Sequence, residues 1–287
     1  MKNLVILGAF VATVVLWTTK DQIADATRNL VREEFRSHVV VHSPHADRVA
    51  TVDEFWSGVI ARGKAIEIRG INGDVQAQPT DGELVEVRIE KRSRRSAARQ
   101  VRVEIVEHDG GVTLCAVYPT PRGERENYCA PGSGGRLNSR NNDVRVNFIV
   151  SVPEGVKFIA HTVNGEIDAT NLRSDAEAKT VNGDIRLTTT GFGKASTVNG
   201  SIFASVGQIG NGLDFETVNG NITLRLPADG NADIEGETVS GSISSDFPIS
   251  ITGTLGPKQM RGTLGAGGPE ITLETVTGNI RLEALER

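Results

Sequence analysis

Aromatic side chains and cysteines are scarce in this 287-residue chain, and basic residues hold no surplus. A net charge of −5 lacks the basic excess that marks a nucleic-acid partner, so none is expected. There is no Gly-x-Ser-x-Gly nucleophile motif, and Ser133, the nearest candidate, follows Pro131-Gly132 in an irregular stretch. Gly191-Phe192-Gly193 lacks the third glycine of a dinucleotide fingerprint and precedes no helical pattern. The nine-residue Ca²⁺-binding repeat is missing too, because it needs a regular Asp and a period about half that found here. No apolar run reaches the roughly twenty residues of a comfortable membrane helix. These absences argue against an enzyme and against a bound cofactor or metal.

What the chain has in abundance is glycine, with Thr, Val, Ile and Asn, the residues of short strands and tight bends. One phrase organises its C-terminal half. Thr-Val-Asn-Gly-Asp-Ile at Thr180 to Ile185 returns at Thr162 to Ile167, Thr197 to Ile202 and Thr217 to Ile222, and more loosely at Thr238 to Ile243 and Thr275 to Ile280. The glycine intervals are 183−165 = 18, 200−183 = 17, 220−200 = 20, 241−220 = 21 and 278−241 = 37, the last about two periods. Asn-Gly is a strong hairpin signal, but a two-residue turn would set Val181 against Asp184 and Thr180 against Ile185, apolar against polar. A single extended strand puts Val181, Gly183, Ile185 and Leu187 on one face and Asn182, Asp184 and Arg186 on the other. The sequence therefore predicts an all-β fold, a β-solenoid of about 18–20 residues per coil in which apolar ladders fill the interior. The alternative is an antiparallel β-sandwich of repeated hairpins.

Ahead of the repeats, Lys2 and the apolar run 4–17 have the length of a signal-peptide core, and Ala24-Asp25-Ala26 has the form of a cleavage site. Residues 1–26 are expected to be an export signal or a short membrane anchor helix, and the absence of a nearby Cys excludes a lipoprotein anchor. Residues 27–54 follow as a helical or linker segment. His38, His42, His45 and Asp47 invite a metal, but Pro44 breaks the helix that would align them. Residues 55–136 read as an N-terminal β region in which Ile66 to Val75 is an early copy of the phrase. Lys91 to Arg99 is a basic stretch, expected to be a solvated excursion between strands. Cys115 and Cys129 bracket an irregular loop with Pro119 and Pro121, which in an exported chain reads as a disulfide. Residues 144–287 form the repeat solenoid, with Leu255 to Gly268 standing where one copy of the phrase is lost, as a degenerate coil or a protruding loop.

The repeated phrase, with the early Ile71 to Val75 copy and the segment between the cysteines, resembles a bacterial putative-adhesin family of unknown function. The likeness covers roughly Ala65 to Leu282. It implies glycine-rich β repeats behind an export signal or anchor, a surface location, and no catalytic motif.

Within a stack, equivalent residues form rows. The row after the glycine is Glu166, Asp184, Ser201, Asn221, Ser242 and Asn279, too mixed for a catalytic carboxylate pair. The row Asn164, Asn182, Asn199 and Asn219 is expected to stack amide on amide, and is the candidate binding face for a cell-surface polysaccharide or a protein. The expectation is an exported, adhesin-like protein of the periplasm or cell surface. Two other functions remain open: a membrane-tethered accessory or sensor protein of envelope-stress signalling, and a polysaccharide-active β-helix enzyme.

Overall fold

The structure, a computed structural model, describes residues 50–253 and 256–285. The expected export segment, its apolar run and the His38, His42, His45 and Asp47 group lie outside the described residues.

Strands β1 (Ala50–Val59), β2 (Ala65–Arg69), β3 (Val75–Thr80) and β4 (Leu84–Ser93) come first, and a short 3-10 turn at Ala98–Gln100 leads to β5 (Arg102–His108) and β6 (Gly111–Val117). After an irregular excursion, β7 (Arg145–Pro153), β8 (Lys157–His161), β9 (Ile167–Leu172), β10 (Ala176–Lys179) and β11 (Ile185–Thr189) run in close succession. They continue as β12 (Gly193–Ser196), β13 (Ile202–Val206), β14 (Leu213–Asn219) and β15 (Ile222–Pro227). The chain closes with β16 (Ala232–Ser240), β17 (Ile243–Ser245), β18 (Ser250–Thr252), β19 (Lys258–Leu264), β20 (Glu270–Thr277) and β21 (Ile280–Leu285).

Two sheets result, and each coil gives one strand to each sheet. Coil pairs with coil in parallel register, so Ile167, Ile185, Ile202, Ile222 and Ile280 stack in one ladder. The interior is a continuous apolar core from Val52 to Leu282, lined by such ladders. This is the expected β-solenoid. The sandwich of hairpins fails because neighbouring coils pair in parallel.

The phrase itself is neither hairpin nor single strand. It is the corner where the chain leaves one sheet and enters the other: β10 ends at Lys179 and β11 begins at Ile185. The strict alternation therefore breaks at the corner. Ile185 and Leu187 are buried as expected, but Val181 is exposed while Thr180 is buried. Thr180 turns inward because it has a bond to make, since its Oγ1 donates to the Gly165 carbonyl of the preceding coil at 3.0 Å. The same bond recurs from Thr162, Thr197, Thr217, Thr275 and Thr238, each to the glycine carbonyl of the coil stacked below it. Glycine is required for a steric reason. A Cβ on Gly200 would lie 2.0 Å from the Gly183 oxygen, and on Gly183 2.1 Å from that of Gly165.

Sequence order is not spatial order at either end. In space the coils run β6–β7, β2–β3, β8–β9, β10–β11, β12–β13, β14–β15, β20–β21 and last β16–β17. The missing middle phrase between Gly241 and Gly278 is thereby explained: Gly278 belongs between Gly220 and Gly241. Of residues 255–268, expected as a degenerate coil or protruding loop, those described from 256 onward are largely a hairpin arm. β19 lies antiparallel on β16, with β18 outside it. At the other end β5 covers β6, and β4 then β1 cover β7. These antiparallel strands blunt both sheets at one end of the stack and one sheet at the other, where unpaired backbone groups would recruit another chain, and β17 stands as the edge of its sheet among the described residues.

Among the described residues strands begin at Ala50, ahead of the expected Phe55. The basic stretch also departs from expectation at its start, because Lys91 is buried in β4 and its Nζ meets Glu54 Oε1 at 2.5 Å. A buried ammonium needs such a partner. Beyond it Arg94 and Arg95 are exposed, and their backbone N–H groups, with that of Ser96, donate to Asp143. The Ser96 hydroxyl and these N–H groups hold the Asp143 carboxyl well below the usual carboxylate range.

Candidate binding face

The repeated corner presents three parallel rows along the stack. Innermost is the buried Thr row. Outside it stand Val163, Val181, Val198, Val218, Val276 and Val239, each 38–46% exposed, one per coil at the strand spacing of about 4.8 Å. Beside them Asn219 Nδ2 donates to Asn199 Oδ1 at 2.9 Å, and Asn199 to Asn182, Asn182 to Asn164 and Asn164 to Asn72 at 2.8 Å each. One amide N–H is used per step, leaving the second N–H and an oxygen lone pair for an outside partner.

The row after the glycine ties neighbouring coils together. Asp74 Oδ1 accepts from the Glu166 backbone N–H, Asp184 from Ser201, Ser201 Oγ from Asn221, Asn221 from Asn279, and Asn279 from Ser242. These polar side chains have structural employment. At the head of the Asn row, Asn72 and Asn164 border an open cleft shared with Asn142, Asp143 and Arg145.

The candidate residues Asn164, Asn182, Asn199 and Asn219 are therefore brought into one exposed line, and Asn72 extends it. Asn72 could have been found from its own copy of the phrase, Ile71-Asn72-Gly73-Asp74, but the insertion between positions 73 and 165 hides the period. The exposed valines were missed because alternation was carried through a corner. The break was signalled by glycine, which seldom sits mid-strand without reason.

Cys115 and Cys129 form the expected disulfide, with Cα atoms 5.6 Å apart. The loop it closes lies against the outer face of β2 and β6. The backbone N–H of Gly132 donates to Glu67, and Arg69 donates to the Ala130 carbonyl at 2.6 Å. Tyr118, buried with its phenol pushed up to about 12 by desolvation, closes the excursion by donating to the Val144 carbonyl.

Titratable groups gather in two other places. His161 lies 3.9 Å from both Glu67 and Glu177, and Lys179 reaches Glu177 at 2.7 Å. The imidazole and the ammonium together hold the Glu177 carboxyl down to about 2. Further along the same sheet Glu216 is shifted upward, by burial and by Asp214 and Glu274 beside it. Neither group includes an activated nucleophile, and among the described residues no three His, Cys, Asp or Glu side chains converge as metal ligands. No described helix is long and apolar enough to cross a membrane.

A parallel two-sheet solenoid with hydrogen-bonded Thr, Asn and Gly corners defines this chain as a β-repeat module. The profile of the Toastrack DUF4097 family matches residues 66–283, and the protein belongs to that family. Among solved structures it is similar to a putative cell adhesion protein from Clostridium sporogenes, at 11% identity over 81% of this chain and 100% of that one, with a TM-score of 0.39. It is also similar to a putative adhesin from Bacteroides fragilis, at 11% identity over 81% and 97% of the two chains and a TM-score of 0.35. A putative adhesin from Parabacteroides merdae is similar at 13% identity over 86% and 100%, with a TM-score of 0.20. The comparison with curated proteins found no match.

Proposed function

We propose that this protein is a non-catalytic, adhesin-like binding module of the cell envelope, exported to the periplasm or cell surface, which binds through its repeated corner. The observation that carries this is the exposed valine row lying beside the asparagine row. Six apolar side chains held in a line at solvent have no structural need to be there, whereas the Thr and Gly of the same phrase each have one. Valine supplies apolar contact and the amides supply donors and acceptors, a combination suited to a polymer of hydroxyl-bearing, C–H-faced units or to an extended protein segment. The adhesin names of the similar structures agree with this reading.

Purified protein from about residue 50 onward is tested for retention on isolated cell wall. Val181→Asp with Val198→Asp should weaken retention measurably while leaving the melting temperature nearly unchanged, since both side chains are exposed. Full retention by this folded variant would place the binding elsewhere. Release of reducing sugar that is lost on Glu177→Gln or Glu216→Gln would replace the proposal with an enzyme.

A further inference from the structure

The coil β20–β21 sits between two coils that are built to meet each other directly. Below it, Thr275 Oγ1 donates to the Gly220 carbonyl at 3.0 Å and the Asn279 N–H to Asn221 Oδ1 at 2.9 Å. Above it, Thr238 donates to Gly278 at 2.8 Å and the Ser242 N–H to Asn279 at 2.9 Å. A Cβ at Gly278 or at Gly241 would lie 1.8 Å from the glycine oxygen beneath. The two interfaces are the same interface used twice. Coil β16–β17 carries the Thr, Gly and Ile needed to dock on β14–β15, which it follows after only the four residues 228–231. The C-terminal coil instead holds the two apart.

From this geometry we infer that β20–β21 is an exchangeable insert, and that the slot between β14–β15 and β16–β17 accepts the same coil from a second copy of this chain. Every contact made by the insert within one chain is made identically when it comes from another, so exchange costs no interface, only the effective concentration of the tethered coil. The tether allows it. Residues 264–269 contain three glycines and a proline, and the segment is pinned to β16 and the link before it by three bonds, Ala266 N–H to Asn231, Gly268 N–H to Asp233, and the Asp233 N–H to the Pro269 carbonyl. When these release, the segment can extend.

The test uses the full chain with its native disulfide intact, unfolded and refolded at increasing protein concentration, then sized by light scattering. The expected result is a folded dimer whose share rises with refolding concentration. Asn231→Ala should increase that share. Asn221→Cys with Asn279→Cys, oxidised before unfolding, ties each insert to its own slot and should remove the dimer. Mixing a tagged Asn221→Cys chain with an untagged Asn279→Cys chain during refolding should give a disulfide between the two copies, because these positions are register partners one strand apart, beside the paired Ile222 and Ile280. Monomer alone at every concentration overturns the inference, as does a dimer that persists undiminished in the tied variant.

Discussion

A single corner, Thr197 to Gly200, shows how four residues divide the labour. Gly200 touches the carbonyl of Gly183, Thr197 donates to that same carbonyl at 3.1 Å, Asn199 extends the amide row, and Val198 serves the stack through its carbonyl, which accepts from the Asn219 N–H, while its side chain stands exposed. The Thr hydroxyl donates to this glycine oxygen at a place where the strand ladder is interrupted. Losing such a partner leaves a poorly hydrated carbonyl unsatisfied, at a cost of about 1–3 kcal/mol. Urea melts should therefore rank Thr197→Val well below Thr197→Ser, which keeps the hydroxyl. Gly200→Ala should destabilise by about 1–3 kcal/mol or more, since backbone must shift to admit the methyl group, whereas Val198→Ser should stay within about 0.5 kcal/mol of the parent. Equal melts for Gly200→Ala and Val198→Ser would contradict the corner geometry. Strict alternation expects glycine to face the interior at this position; the structure instead leaves Gly200 half-buried at the corner, where the neighbouring coil's carbonyl excludes a side chain.

At the scale of strands, what could be read was the periodicity of Ile185 and Leu187 and of their equivalents, because burial of alternate residues leaves a direct trace in sequence. Three things could not be read. The corner disguises itself as strand because Thr and Val favour strands wherever they occur. The buried Lys91 reads as one more charge in a basic run, and only pairing of β1 with β4 places Glu54 beside it. The third is the His161 and Glu177 contact, which rests on β8 and β10 being neighbours although 161 and 177 are unremarkable in sequence. That contact makes a pH prediction. Glu177 has its pKa lowered from 4.5 to about 2 by His161 and Lys179. A carboxylate so depressed stabilises the fold above its unfolded pKa, and the contribution disappears as pH falls through the folded value. Stability of the parent should thus fall more steeply between about pH 4.5 and pH 2 than that of Glu177→Gln, measured by urea midpoints across this window. Parallel pH profiles would remove His161 and Lys179 as partners of Glu177.

Across the whole molecule, the number and phase of coils from Thr162 to Ile222 were legible, since each repeats the phrase without interruption. Coil order at the ends was not. Nothing local distinguishes a coil laid on its predecessor from one slipped beneath it, because the same Thr, Gly and Ile serve both arrangements. The outcome is an array whose terminal coils are held by chain from elsewhere, unlike a simple solenoid that frays from its last repeat. Such an array is a stiff support for a long binding edge, and the central claim is that binding is spread along that edge. The measurement that tests it most directly is retention on cell wall of chains shortened by whole coils from the uninterrupted middle. Deleting 176–192 removes one coil and deleting 176–212 removes two, each leaving partners in register because Ala176, Gly193 and Leu213 occupy equivalent places. Retention should weaken with each coil removed, as expected when equal weak contacts act together, while circular dichroism shows the shortened solenoids still folded. Retention that is unchanged by both deletions, or lost completely with the first, would contradict a binding edge shared among coils.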